Sequence, residues 1–440
     1  MISPGTVLAE SDLGNGGGHC SRRRFLFSGA LALLAIPAPL CAQREDITQA
    51  DADFLRTAIE TIEKHSLRSF SQPEILAGAH AELKKALGPK YRASFPIGIP
   101  PGADLDLAGN IFVDAVRKVA RAAPANVREF AVRALMERSL NLFLATIDEY
   151  SEFIPSSAAP DLIKIDRAVE YVGIGVALTR GDGGLVCTPN PGENASLAGV
   201  RKGDLLLRID GRETREMTIY EAIMRLRGNP KTTVRIRVRH AAAEGDEEDL
   251  PIERAKVQHA PVEIRPDRGF GHHIRISAIT PTTAKALRQE FLALGPDKAV
   301  LLDLRGNEGG GFDDAVRVAE LFLPKGTPVA TLYRRGQTEK SVSENATPYV
   351  PSKLTILQDG HTASGAELII AALTAYAPLH ARTLGTQTYG KGVAQDSILL
   401  KQGEWGMVII TSFKMHGPNN EDWNGNGILP KDEIPGELAR

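Results

Sequence analysis

The apolar residues of this chain change period twice, and no single bundle or sheet accommodates all three textures. Before about residue 165 they recur at three- and four-residue spacing, so "DADFLRTAIETIEKHSL" and "VREFAVRALMERSLNLFLATI" each predict an amphipathic helix. Between them "LGPKYRASFPIGIPPGADLDLAG" is rich in proline and glycine and predicts a loop. From Val172 the pattern becomes short β-branched runs, "YVGIGVAL", "GLVCT", "DLLLRIDG" and "TTVRIRVRH". The last alternates strictly, with Val234, Ile236 and Val238 on one face and Arg235, Arg237 and Arg239 on the other, as in a half-buried strand. One helix, "TIYEAIMRLRG", interrupts these runs, and the acidic stretch Ala243 to Asp249 predicts a solvated hairpin loop. From about residue 258 strands alternate with helices: "AVLLDLRG" reads as a strand buried on both faces, then glycines and the helix "FDDAVRVAELFL". "KLTILQDG" then leads into "SGAELIIAALTAYA". This alternation predicts an α/β domain whose chemistry lies in loops at the strand ends. A chain of 440 residues exceeds what one core serves, so the whole is expected to be an α+β multidomain protein.

The first segment has a separate logic. "SRRRFLF" (Ser21 to Phe27) precedes the apolar run "SGALALLAIPAPLCA", and Ala42 is a small residue at which a signal peptidase could cut. Pro37 and Pro39 break a run already short for a membrane span, so residues 1–42 are expected to be an export signal and not a stable span. The paired arginines resemble the twin-arginine type, with a plain secretory signal as the other reading; "APL" before Cys41 resembles a lipobox poorly. Cleavage after Ala42 would remove Cys20 and Cys41, leaving Cys187 without a partner for an internal disulfide. Within "GGLVCTPNPGE" that cysteine reads as a half-buried strand residue, not as a nucleophile. Fifty-two basic residues against 54 acidic ones give a net charge of −2 and argue against a nucleic-acid footprint.

Two loops and one lysine carry the candidate chemistry. "GTQTYGKG" (Gly385 to Gly392) nearly matches a phosphate-binding loop, but Gly392 stands where the magnesium-binding hydroxyl belongs. Ser364 sits where an apolar strand turns into an apolar helix; by itself it reads as an N-cap with Glu367 at capping-box spacing. The glycines of "RGNEGGG" (Arg305 to Gly311) offer amides that could approach an oxyanion or form plain turns. His361 and the pair His272-His273 are rival bases for a histidine triad, the pair reading more simply as a surface strand cap.

Taken together, these motifs resemble the carboxyl-terminal processing peptidases, exported serine proteases with a Ser/Lys dyad. The family's S-A-S-A-S-E appears as T-A-S-G-A-E, its F-G-K-G-x-x-Q as Y-G-K-G-V-A-Q, and its D-L-R-x-N-x-G-G is matched from Asp303 to Gly310. The resemblance implies Ser364 as nucleophile, Lys391 as general base, Gln395 as the residue orienting the lysine, and Gly309, Gly310 and Gly365 as the oxyanion hole. A lysine of pKa ~10.4 is a poor base at neutral pH, and burial disfavours its charged form and brings that value down. Gly365, Ala366, Tyr389 and Glu308 depart from the family's alanine, serine, phenylalanine and proline, and none removes a reacting atom.

"YVGIGVAL", "NASLAGVRKGDLLLRIDG" and "YEAIMRLRGNPKTTVRIRV" resemble the family's PDZ domain, "IDEYSEFI" its L-D-P-Y-S-x-Y-L, and "GNGILP" its G-I-x-P. The implied organisation is a signal at 1–42, a helical N-terminal region at 43–167 packing on the core, and a small barrel-like PDZ domain with helices at 168–256. An α/β protease core of the Clp protease/crotonase type would follow at 257–440. Val172, Gly173, Ile174 and Gly175 would bind the peptide tail. The implied partners are proteins or peptides with apolar carboxyl termini, an adaptor or a second copy of the chain, met in the bacterial periplasm or cell envelope. No cofactor is implied. "DWNGNGILPKDE" (Asp422 to Glu433) fits the spacing of a calcium loop, but lacks the flanking helices of an EF-hand and reads by default as an asparagine-glycine turn, with no metal. A non-catalytic tail-binding scaffold is the alternative from another class, and a P-loop nucleotidase the third reading.

Overall fold

The computed structural model describes residues 7–9 and 47–431, apart from 94, 96–97, 124–130, 157, 160–169, 182, 191, 216, 218, 242–245, 259–261, 268–270 and 296. Of the segment read as an export signal, all but Val7–Ala9 lies outside the described residues, as does Glu433 of the calcium-loop pattern. Two compact units form: Thr6–Pro160 with Asp396–Ser412, and Met1–Gly5 with Asp161–Gln395 and Phe413–Arg440. Among the described residues no helix is long and apolar enough to cross a membrane.

The first unit is built on four helices: α1 (Gln49–His65), α2 (Gln72–Ala86), α3 (Leu105–Ala122) and α4 (Val132–Ile147). Their starts follow from local chemistry. Thr48 accepts the Asp51 amide at 3.2 Å, Asp104 accepts that of Leu107 at 2.8 Å, and Glu74 reaches back to the Ser71 amide at 2.7 Å. Their apolar stripes close over Phe54, Phe112, Leu135 and Met136, joined by Ile398, Leu400, Val408 and Ile410. Each such side chain taken from water contributes about 1.5–3 kcal/mol before entropy is counted. Glu152–Ile154 pairs antiparallel with Met407–Ile409, and Val7–Ala9 runs parallel to Ser397–Leu399.

The second unit holds a small antiparallel sheet in the order β1 (Val176–Gly181), β2 (Gly184–Pro189), β3 (Asp204–Ile209), β4 (Thr233–Arg239) and β5 (Glu247–Glu253), with helix α5 (Ile219–Leu226). Val234, Ile236 and Val238 point into its core, as their alternation predicts. The acidic run is not wholly a loop, because β5 begins at Glu247. The arginines of β4 draw it into register, Arg237 pairing with Asp249 and Arg239 with Glu247. Glu170–Gly173 and Ala255–Gln258 pair antiparallel where the chain enters and leaves this sheet.

A five-stranded sheet follows in the order β6 (Val262–Asp267), β7 (Gly271–Ile276), β8 (Ala299–Asp303), β9 (Lys353–Gln358) and β10 (Arg382–Gly385). Only the β6–β7 pairing is antiparallel; the other three are parallel, the arrangement that strand–helix alternation demands. Helices α6 (Thr283–Leu294), α7 (Phe312–Glu320) and α8 (Gly365–Ala375) lie between these strands in the chain. Val300, Leu302, Leu354 and Ile356 share one core with Leu368 and Ile369 of α8, while Leu301 and Leu357 form a second contact with Leu384. His272 and His273 do not cap a strand: they sit inside β7, paired on both sides, and His273 Nε2 lies 3.1 Å from Asp303 Oδ2.

Candidate active site

Three loops leave the carboxyl ends of the parallel strands, 304–311 after β8, 359–364 after β9 and 386–392 after β10. The middle one ends on Ser364, which is 3% exposed and holds φ 55° and ψ −120°. Such a backbone costs a non-glycine residue on the order of 1–3 kcal/mol and persists only where its surroundings over-determine it. They do so here. The Thr362 hydroxyl donates to the Leu304 carbonyl at 2.9 Å, the Ala363 amide donates to the Asn307 carbonyl at 2.9 Å, and Gly365 to Leu373 are all buried.

The glycine loop is pressed against this turn. Gly309 has φ 97°, and a Cβ there would stand 2.7 Å from the Ala363 carbonyl oxygen and 2.8 Å from Ser364 Cβ; at Gly310 it would fall 1.9 Å from the Ile279 carbonyl oxygen. Fully buried Asn307 sets this approach, donating to the Ile276 carbonyl at 2.9 Å and accepting the Gly309 amide on Oδ1 at 2.8 Å. The Gly309 amide is thus already engaged, and that residue's visible contribution is close packing.

Lys391, 9% exposed, lies in the third loop, and Glu367 joins it to the serine. The Glu367 carboxylate is fully buried. Its Oε2 accepts the amides of Ser364 at 2.8 Å and Lys391 at 2.9 Å, and its Oε1 accepts the Thr388 hydroxyl at 2.6 Å and the Gly390 amide at 2.8 Å. Burial pushes this carboxyl above its ordinary value, opposed by those donors. One carboxylate oxygen therefore holds the backbones of two residues 27 apart in the chain. The capping-box spacing made Glu367 visible in the sequence. Asn307 stood in the matched D-L-R-x-N-x-G-G motif without a role of its own, and Thr388 had no such signal, because its partner Glu367 is distant in the chain.

Gln395 is buried at the start of Val393–Leu399. Because a strand, not a helix, follows Lys391, "GTQTYGKG" lacks the helix N-terminus that a phosphate-binding loop needs. His361 lies on an exposed turn, its amide on Asp359 Oδ1 at 3.0 Å. His273 faces Asp303, whose carboxyl burial alone would raise; two donors and the charge of Arg305, with His273, more than offset this and hold it below the usual range. Cys187 is buried, and burial followed by the charge of Asp204 pushes its thiol up to about 12, which removes it as a nucleophile. In the other sheet region, Val172 and Gly173 belong to the strand paired with Ala255–Gln258. The carbonyls of Ile174 and Gly175 accept the amides of Ala195 at 2.8 Å and Asn190 at 2.9 Å.

The turn that carries the calcium-loop pattern packs on the lysine loop, with the Gly425 amide on the Gly390 carbonyl at 2.8 Å.

Residues 272–434 match the model of peptidase family S41, and residues 185–240 that of a PDZ domain. The chain is 26% identical to a protein of Staphylococcus haemolyticus (strain JCSC1435) named "Probable CtpA-like serine protease", over 65% of this chain and 57% of that protein. A protein of the same name from Staphylococcus aureus (strain COL) is 29% identical over 64% and 56%. The chain thus spans little more than half the length of these relatives. A photosystem II D1 C-terminal processing protease has the same fold, with TM-score 0.63 at 20% identity, covering 90% of this chain and 95% of that one.

Proposed function

We propose, from the matches to peptidase family S41 and to a PDZ domain, that the chain is a carboxyl-terminal processing peptidase, an exported serine endopeptidase acting through Ser364 and Lys391. Ser364 Oγ attacks the scissile carbonyl carbon and the neutral Lys391 amine takes its proton. The protonated lysine then returns that proton to the departing amine, and water repeats the sequence on the acyl-enzyme. Gln395 orients the lysine. The oxyanion falls to amides among Gly309, Gly310 and Gly365, of which that of Gly309 is donated to Asn307 Oδ1. Glu367 acts through backbone: it fixes where the serine turn and the lysine loop stand relative to each other.

The observation that supports this reading is the shared Glu367 oxygen, which holds the backbone amides of Ser364 and Lys391 at one buried point beneath a strained serine turn. Substrates are proteins with apolar carboxyl-terminal tails. The PDZ domain adds such a tail as an extra strand near Val172 to Gly175. Domain boundaries of 43–167, 168–256 and 257–440 accompany the proposal, with residues 1–42 removed on export.

The test is cleavage of an unstructured protein ending in an apolar tail, by wild type, Ser364→Ala and Lys391→Ala, with and without ATP and a chelator. Each substitution is expected to lower kcat by about 10³-fold or more, with no dependence on ATP. Full activity of either variant would overturn the dyad; absent cleavage by wild type with tail binding intact would favour a scaffold.

A further inference from the structure

Both peptide groups of Lys391 are anchored, by residues of two separate segments. Its amide is held by Glu367, while its carbonyl accepts the indole N–H of Trp423 at 3.2 Å; Trp423 is 2% exposed. The next amide, that of Gly392, donates to Asn424 Oδ1 at 3.0 Å. Upstream, the Thr388 amide donates to the Ile428 carbonyl at 3.1 Å and the Ile428 amide to the Thr388 hydroxyl at 2.6 Å. The flanking glycines fit the same contact: a Cβ on Gly390 would meet the Gly427 nitrogen at 2.8 Å, and one on Gly392 would meet Asn424 Cβ at 2.8 Å.

We propose that the turn from Trp423 to Ile428 is a positioning clasp for the lysine base, with Trp423 and Asn424 as its positioning residues. The proposal deepens the dyad reading and rests on it. A residue pinned at both its N–H and its C=O has a fixed Cα–Cβ direction, so the four-carbon stem of Lys391 leaves the backbone along one line. A flexible stem launched from a mobile loop would spread its amine over several ångströms, and a misplacement of about 1 Å costs roughly 100-fold in rate. The asparagine and glycine spacing that mimics a calcium loop thereby gains a different use: it shapes a turn tight enough to enter the space that Gly390 and Gly392 leave open.

The experiment compares Trp423→Phe, Asn424→Ala and Asn424→Asp in the full chain, beside Ser364→Ala and Lys391→Ala. It reads kcat, KM, the rate at which a fluorophosphonate labels Ser364, and thermal unfolding. Trp423→Phe keeps a ring in the core and deletes the donor, so kcat and labelling are expected to fall together by about 10- to 100-fold, with KM within twofold and the protein folded at the assay temperature. Asn424 is exposed, so its alanine variant should fold while losing rate, and Asn424→Asp, which keeps an acceptor for the Gly392 amide, should recover most of that loss. Wild-type kcat in both Trp423→Phe and Asn424→Ala, with both dyad variants dead, overturns the clasp alone. So does a loss that merely tracks the unfolded fraction. Full activity in Lys391→Ala overturns the dyad reading and the clasp with it. Should Trp423→Phe fail to fold, the Asn424 pair decides.

Discussion

At the scale of single residues, two glycines beside the nucleophile look alike in the sequence and should behave oppositely. Gly309 needs φ 97° and leaves 2.7 Å to a backbone oxygen, so Gly309→Ala must displace the serine turn itself. Its expected outcome is a loss of at least about 100-fold in kcat with a lower melting temperature. Gly365 has no positive φ; a Cβ there would lie 3.0 Å from Ala315 Cβ, which moves only with its helix, and 3.3 Å from Ile279 Cδ1, a side-chain end that can shift by a few tenths of an ångström. Gly365→Ala should therefore keep activity within about tenfold, and adding Ala315→Gly should restore any lost stability. Parallel assays and melts of the three variants check both statements. Glu367→Gln is the sharper case. The amide retains one acceptor oxygen, while its NH₂ confronts at least one of the buried donors now satisfied by Oε1 and Oε2. Leaving a buried donor unpaired costs about 1–3 kcal/mol. The variant should lose stability and kcat together; unfolding midpoints and kcat measured on the same samples decide.

At the scale of elements, periodicity was informative wherever one face of an element is buried locally. Helices α1 and α4, the alternating strand β4 and the strand–helix succession of the core have that origin, whereas α3 opens at Leu105, inside the proline- and glycine-rich stretch that reads as a loop. What sequence spacing does not carry is where a polar backbone goes. Nothing in the side-chain spacing of "DWNGNGILP" tells that its turn enters the lysine loop, in the space that Gly390 and Gly392, more than 30 residues upstream, leave open. His272 and His273 break an apolar run, yet pairing with β6 and β8 outweighs their intrinsic preference. The same contrast gives a prediction for α2. His80 is 1% exposed, its Nε2 has no hydrogen-bond partner among the described residues, and its ring lies 4.6 Å from that of Phe95. Burial, followed by the charge of Lys84, pulls its pKa down to about 4. A depressed histidine stabilises the fold above its unfolded value of 6.5, and that contribution is lost as pH falls toward 4, about 1.4 kcal/mol for each unit. Between pH 7.5 and pH 5 the wild type should lose about 2 kcal/mol that His80→Leu does not, measured as the difference in denaturant midpoints of the two proteins at each pH.

At the scale of the whole molecule, the PDZ domain enters and leaves through a single pair of strands. Gly173 faces Ala255 and Tyr171 faces Val257 in antiparallel register, so the chain ends left by excising the domain lie about 5 Å apart. A short glycine-serine linker can close that gap without stretching the remaining fold. The domain carries its own core, from Leu178 and Leu185 to Val238 and Ile252, so its removal takes away a self-contained cluster and opens no cavity within the five-stranded sheet. If the domain's role is to capture apolar carboxyl termini, excision between Gly173 and Ala255 should leave Ser364 reactive toward a fluorophosphonate but abolish the preference for an apolar over a charged tail. If tail binding also favours the active arrangement of Ser364 and Lys391, a free apolar peptide added in trans should accelerate labelling of the intact chain and not of the excised one. A bound tail shifts such an equilibrium only by its difference in affinity for the two states, so a tenfold acceleration corresponds to about 1.4 kcal/mol of preference. Unchanged cleavage rate and unchanged tail preference after excision would remove the domain from both selection and control, and would leave the cleft around Ser364 as the sole source of specificity.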